Sequence, residues 1–126
     1  MAYNWETYLK IADQLGDKQH TALQRTSVSR AYYATFNLCR DWMEGQGVAI
    51  PNKGAHRALW AAFSKGTGVA PASVVDAAAI GGYGKWLSGR RNACDYDDRV
   101  ANLDKVVKDA LKRARLIIDD LLPKLI

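Results

Sequence analysis

The sequence predicts an all-α fold, an antiparallel up-and-down bundle of four main helices plus a short fifth helix. Apolar residues recur at helical spacing in five segments. Loop-forming clusters separate several of them: Gly45 to Pro51, Gly66 to Pro71 and the acidic run Asp95 to Arg99. No run alternates with period two for long enough to make a strand, and no Asn-Gly hairpin signal occurs.

The first helix is expected from Asn4, a good N-cap, to about Leu15, with Gly16 as C-cap. The second runs from about His20 to Glu44. Its stripe of Val28, Tyr32, Phe36, Cys39 and Met43 is widened by Ala31, Leu38 and Trp42. Thr26, Arg30, Tyr33, Asn37, Arg40 or Asp41, and Glu44 fall opposite. The third helix is short, about Gly54 to Ser64, with Leu59, Trp60 and Phe63 apolar. The fourth covers about Ala72 to Cys94 and is weakened near Gly81, Gly82 and Gly84. The fifth starts after Asp97-Asp98 and ends before Pro123. Its series Val100, Leu103, Val107, Ala110, Ala114, Ile117 and Leu121 is broadened by Val106, Leu111, Ile118 and Leu122. That stripe is too wide for a two-stranded seam and suits a bundle.

A chain of 126 residues is expected to form one domain, residues 1–126, large enough to fold without a staple. Cys39 and Cys94 do not make a disulfide framework and suit a reducing cytoplasm. The opening MAYNWETYLK carries no secretory leader pattern. No stretch approaches about 18 uncharged apolar residues, so no membrane span is expected. The net charge of +5 is uneven: residues 51–90 hold five basic groups against the single acidic Asp76. A basic middle suits an anionic partner such as RNA or a nucleotide, and equally an ordinary solubility charge.

The segment Arg90-Arg-Asn-Ala-Cys-Asp-Tyr-Asp-Asp98 is the most unusual. The series Ile80, Gly84, Leu87, Arg91 and Cys94 sets Arg91 on an otherwise apolar or small face. The overlapping series through Tyr83 sets Arg90 there instead. An arginine on a seam must find an anion or acceptors, because a buried unpaired charge costs several kcal/mol. Arg91 and Asp95, and Asn92 and Tyr96, are (i, i+4) pairs that close a helix end by themselves. The other reading is a phosphate-handling cluster, since guanidinium holds two oxygens and stays charged. On the second helix Arg30, Tyr33 and Asn37 share a polar face suited to lining a cleft.

SRAYYATFN, the helix His56-Arg-Ala-Leu-Trp-Ala-Ala-Phe63 and RRNACDYDD, with Asn4-Trp5 and Tyr8-Leu9 before them, resemble the HEPN domain family over nearly the whole chain. The resemblance implies a helical bundle that forms a two-fold homodimer. It implies kinship with metal-independent endoribonucleases and toxins, often paired in toxin–antitoxin systems with a minimal nucleotidyltransferase partner. The family motif is an arginine, a polar residue, a few variable residues and a histidine. Arg91 and Asn92 match its start, and Tyr96 stands where the histidine would be. General base catalysis typically supplies about 10²–10⁴-fold, and an unshifted phenol is a poor base at neutral pH. The resemblance therefore implies RNA or nucleotide binding by Arg30, Tyr33, Asn37, Arg90 and Asp95 around Arg91, Asn92 and Tyr96, with cleavage weakened or lost. An active ribonuclease would use Arg91 with Tyr96, or with His56 recruited from elsewhere. A purely structural adaptor is the third reading.

Two further patterns carry less. Lys105, Lys108, Lys112 and Arg115 form a basic stripe on the last helix, suited to a phosphate backbone or to plain solvation. Cys39, Cys94, His20 and His56 lack the paired spacing of a zinc site, and no phosphate-binding loop motif occurs, so no metal or cofactor is expected.

Overall fold

The computed structural model describes residues 3–16 and 20–125. They form an all-α bundle, with no strand among them. Helix α1 spans Glu6–Gly16, α2 Thr21–Gly45, α3 Ala55–Lys65, α4 Val74–Tyr96 and α5 Leu103–Arg115. No helix among the described residues is long and apolar enough to cross a membrane.

Side-chain pairings fix the helix directions. Ser27 of α2 donates to the Ala12 carbonyl while Arg30 covers the Tyr8 ring, so α1 and α2 run antiparallel. Arg25, near the start of α2, reaches carbonyls at the end of α4, and Gln24 reaches Asp104 at the start of α5. The main helices α1, α2, α4 and α5 therefore alternate in direction. Short α3 lies parallel to α2, with Tyr32 against His56 and Trp42 against Phe63.

The core follows the stripe on α2. Val28, Ala31, Tyr32, Phe36, Cys39 and Met43 are buried, facing Leu59 and Phe63 of α3, Ile80 and Leu87 of α4, and Val107, Ala110 and Ala114 of α5. The ends are set locally. Asn4 Oδ1 accepts from the Glu6 N–H at 3.1 Å and His20 Nδ1 from the Ala22 N–H at 3.3 Å. Gly66 closes α3 at φ +70°, where a side chain would be strained.

Three expectations are corrected. Helix α4 is continuous through Gly81, Gly82 and Gly84. Two of these glycines admit α3: a Cβ on Gly81 would lie 2.8 Å from the Ser64 nitrogen, and one on Gly84 would overlap the Trp60 ring. Helix α5 starts at Leu103 rather than just after Asp98, with Asn102 at φ +54° turning the chain into it. Helical structure also continues past Pro123. The chain widens into π-helical turns over Leu116–Leu121 and closes with Leu122–Lys124. Proline lacks an N–H and crowds the carbonyl four residues back, here Asp119, and the wider turns lie there.

Candidate anion-binding cleft between α3 and α4

Close packing of α3 on Gly81 and Gly84 leaves a cleft of about 670 Å³ along the seam. Trp60, Ala61 and Gly81 supply its apolar lining. Its cations are Arg57 and Lys65 on α3 and Lys85 on α4. Ser64, Ser88, His56 and Asn92 complete the polar lining, and among the described residues no carboxylate lines it. The basic bias of residues 51–90 thus has a spatial meaning, since Arg57, Lys65 and Lys85 all come from that stretch.

His56 is held from behind. Its ring stacks on Phe36 at 4.1 Å between centres and lies over Tyr32 at 5.5 Å. Its Nδ1 is 2.5 Å from the Tyr32 hydroxyl, and that hydroxyl oxygen accepts from the Trp60 indole N–H at 3.2 Å. Burial lowers the His56 pKa from its ordinary 6.5, and the charges of Arg91 and Arg40 push the same way, so the site favours the neutral imidazole. Burial raises the Tyr32 pKa, against the opposing pull of Ser88, Trp60 and Arg91, and keeps the phenol protonated.

Arg91 lies behind this pair. It is only 8% exposed, and its guanidinium carbon is 5.4 Å from the Tyr32 ring centre and 5.3 Å from that of Tyr33. Nη1 pairs with Asp95 at 3.5 Å, whereas Nε is buried without a partner. The pairing of Arg91 with Asp95 and the placing of Arg91 on the apolar face both hold in space. Arg90 is exposed and covers the Trp86 ring at 5.3 Å.

Several site expectations are rearranged. Asn92 lines the cleft, but Tyr96 is 76% exposed and lines none of the described clefts. Five residues along a helix turn a side chain about 140° from Arg91. Arg30, Tyr33 and Asn37 do not share a cleft. Arg30 covers Tyr8 on the α1 side, and Tyr33 sits under Arg91. Asn37 is buried, giving its amide N–H to the Tyr33 carbonyl and accepting from Arg40 at 2.8 Å. The basic stripe on α5 is divided too: Lys105 pairs with Asp109, and Arg115 with Asp13 of α1.

Arg57, Lys65, Lys85 and the Tyr32 hydroxyl were not singled out from sequence. The charge bias of the middle segment was the available signal for the cations. Nothing in sequence marks Tyr32 beyond its place in the apolar stripe. Cys39 and Cys94 are free and buried, and burial raises both thiol pKa values. Among the described residues no group of three or more His, Cys, Asp or Glu side chains is placed to hold a metal ion. No family model, no curated protein and no solved structure matches the chain.

Proposed function

We propose that this chain is a binding module that takes RNA or a nucleotide by its phosphate in the cleft between α3 and α4. The observation that carries the reading is a cleft lined by three cations and, among the described residues, by no carboxylate. Its volume of about 670 Å³ lies within the usual range for small-ligand sites. Arg57, Lys65 and Lys85 supply the attraction, Asn92 and His56 supply hydrogen-bonding edges, and Arg91 adds a fixed positive charge behind them. The HEPN resemblance extends the reading to a cytoplasmic homodimer in a toxin–antitoxin or defence pair with a minimal nucleotidyltransferase partner.

A second reading, a metal-independent endoribonuclease, is favoured by one observation: His56 and Asn92 line one cleft with Arg91 close behind. In it His56, not Tyr96, handles protons while Arg91 stabilises developing charge.

Anisotropy titration with RNA oligonucleotides and with mononucleotides, at two salt concentrations, tests the first reading. Saturable binding is expected that weakens with salt and in Arg57→Ala and Lys85→Ala, and is unchanged in Tyr96→Ala. No binding by any probe, or no loss in the two cation variants, overturns it. Cleavage of the same RNA in EDTA, lost in both Arg91→Ala and His56→Ala, would establish the second.

A further inference from the structure

The Tyr32 hydroxyl stands between two ring nitrogens. Trp60 Nε1 carries a hydrogen that it only donates, so the phenol oxygen is the acceptor in that 3.2 Å contact. The phenol's own hydrogen then points elsewhere, and the nearest acceptor recorded for it is His56 Nδ1 at 2.5 Å. Tyr32 is fully buried, so bulk solvent does not reach that hydrogen. The other imidazole nitrogen, Nε2, has no protein partner among the described residues and is not sealed from the cleft that His56 lines.

We infer that Tyr32 is the positioning residue of the cleft: its O–H, oriented by the Trp60 indole, donates to His56 Nδ1 and fixes a neutral imidazole that presents Nε2–H as a donor for a phosphate oxygen. This rests on the proposed anion-binding reading and deepens it. It gives His56 a defined role, donor rather than proton acceptor. A neutral imidazole carries one hydrogen, and with Nδ1 accepting, that hydrogen is on Nε2. Ser88, beside the phenol, is the other hydroxyl within reach of it. Were the phenol to donate there, Nδ1 would carry the hydrogen and a lone pair would face the cleft.

The test reads nitrogen-15 chemical shifts of the histidines in the free full chain at neutral pH. His20→Gln identifies the His56 signals, because the chain has only two histidines. Wild type is expected as the single Nε2–H tautomer. Tyr32→Phe removes a hydrogen bond made to the neutral form, so the His56 titration midpoint should rise and the tautomers should mix. An Nδ1–H tautomer in wild type, or a midpoint that falls in Tyr32→Phe, overturns the inference. The wild-type reading stands whether or not that variant folds.

The ligand side uses the same RNA oligonucleotide. His56→Ala should weaken binding about tenfold, whereas His56→Gln, which keeps an N–H near the Nε2 position, should stay within about threefold. Equal losses in the two variants overturn the donor role. Failure of RNA to bind at all sinks the proposed function, while the tautomer of the free protein remains a separate result.

Discussion

Arg25 Nη1 lies 2.6 Å from the Asp97 carbonyl oxygen, so a side chain from the start of α2 closes the end of α4. The same guanidinium donates to the carbonyls of Cys94 and Asp98, both at 3.0 Å. The last carbonyls of a helix have no partner within it, and here one charged fork takes that of Cys94 together with those of Asp97 and Asp98 just past the helix end. This fastening holds the segment that carries Arg91.

Arg25→Met keeps most of the side-chain stem and removes the fork. It should destabilise the chain by about 2 kcal/mol, the usual scale for lost hydrogen bonds to a charged donor. Arg25→Lys should recover only part of this, because a single ammonium nitrogen lacks the two-nitrogen fork that reaches these carbonyls. Urea denaturation of the three proteins measures it. A midpoint for Arg25→Met equal to wild type would show that the end of α4 is held by other contacts.

Glycines of α4 separate close approach from helix propensity. Gly84→Ala places a methyl in the Trp60 ring and should cost about 1–3 kcal/mol, although alanine is the better helix former. Gly82 has nothing within 4 Å of a built Cβ. Gly82→Ala should therefore stabilise by about 0.5–1 kcal/mol. Opposite signs in denaturation midpoints are the expected result.

These glycines also show how far the sequence is legible. Helix propensity reads Gly81, Gly82 and Gly84 alike, because propensity is local and the partner helix is not. The apolar stripes on α2 and α5 were legible because each runs for many turns and one face meets the core. The face holding Asn37 was not, since its burial depends on contacts with Arg40 that periodicity does not encode. Helical spacing offers the seam to Arg91 or to Arg90, and only packing decides between them, burying Arg91 and leaving Arg90 exposed. The motif order of the resemblance puts Tyr96 in the same site, whereas helix geometry turns it away. The cleft draws cations from two helices, so in sequence only its net charge was visible.

Arg91 separates stability from binding. Removing the side chain in Arg91→Ala opens a cavity against Tyr32 and Tyr33 and should cost about 2–5 kcal/mol. Arg91→Met refills most of that volume and removes a buried cation whose Nε has no partner. Buried ion pairs replaced by apolar groups of similar size are often neutral or stabilising. Asp95 is exposed enough to remain hydrated. Arg91→Met should therefore melt within a few degrees of wild type, yet bind RNA more weakly. Undiminished RNA binding in a folded Arg91→Met would remove Arg91 from the site.

The pH profile of stability should fall away on both sides of neutrality. On the acid side, burial together with Arg91 and Arg40 holds the folded His56 pKa below the ordinary 6.5. Below pH 6.5 the unfolded chain then binds a proton that the folded chain does not. Stability is lost as pH falls from 6.5 through the lower folded value. On the alkaline side, burial raises the pKa values of Cys39 and Cys94 above the ordinary 9.0 and of Tyr32 above 10.0. There the unfolded chain releases protons that the folded chain retains, so stability declines as pH rises through 9.0 and 10.0. Urea midpoints from pH 5 to 10 trace the profile in wild type, and His56→Gln isolates the imidazole contribution. The variant should lose less stability than wild type between pH 6.5 and 5 and match its alkaline limb. Equal acid losses in both would mean that His56 protonates as readily in the folded chain as in the unfolded one, so that neither the stacked rings nor the two guanidiniums favour its neutral form.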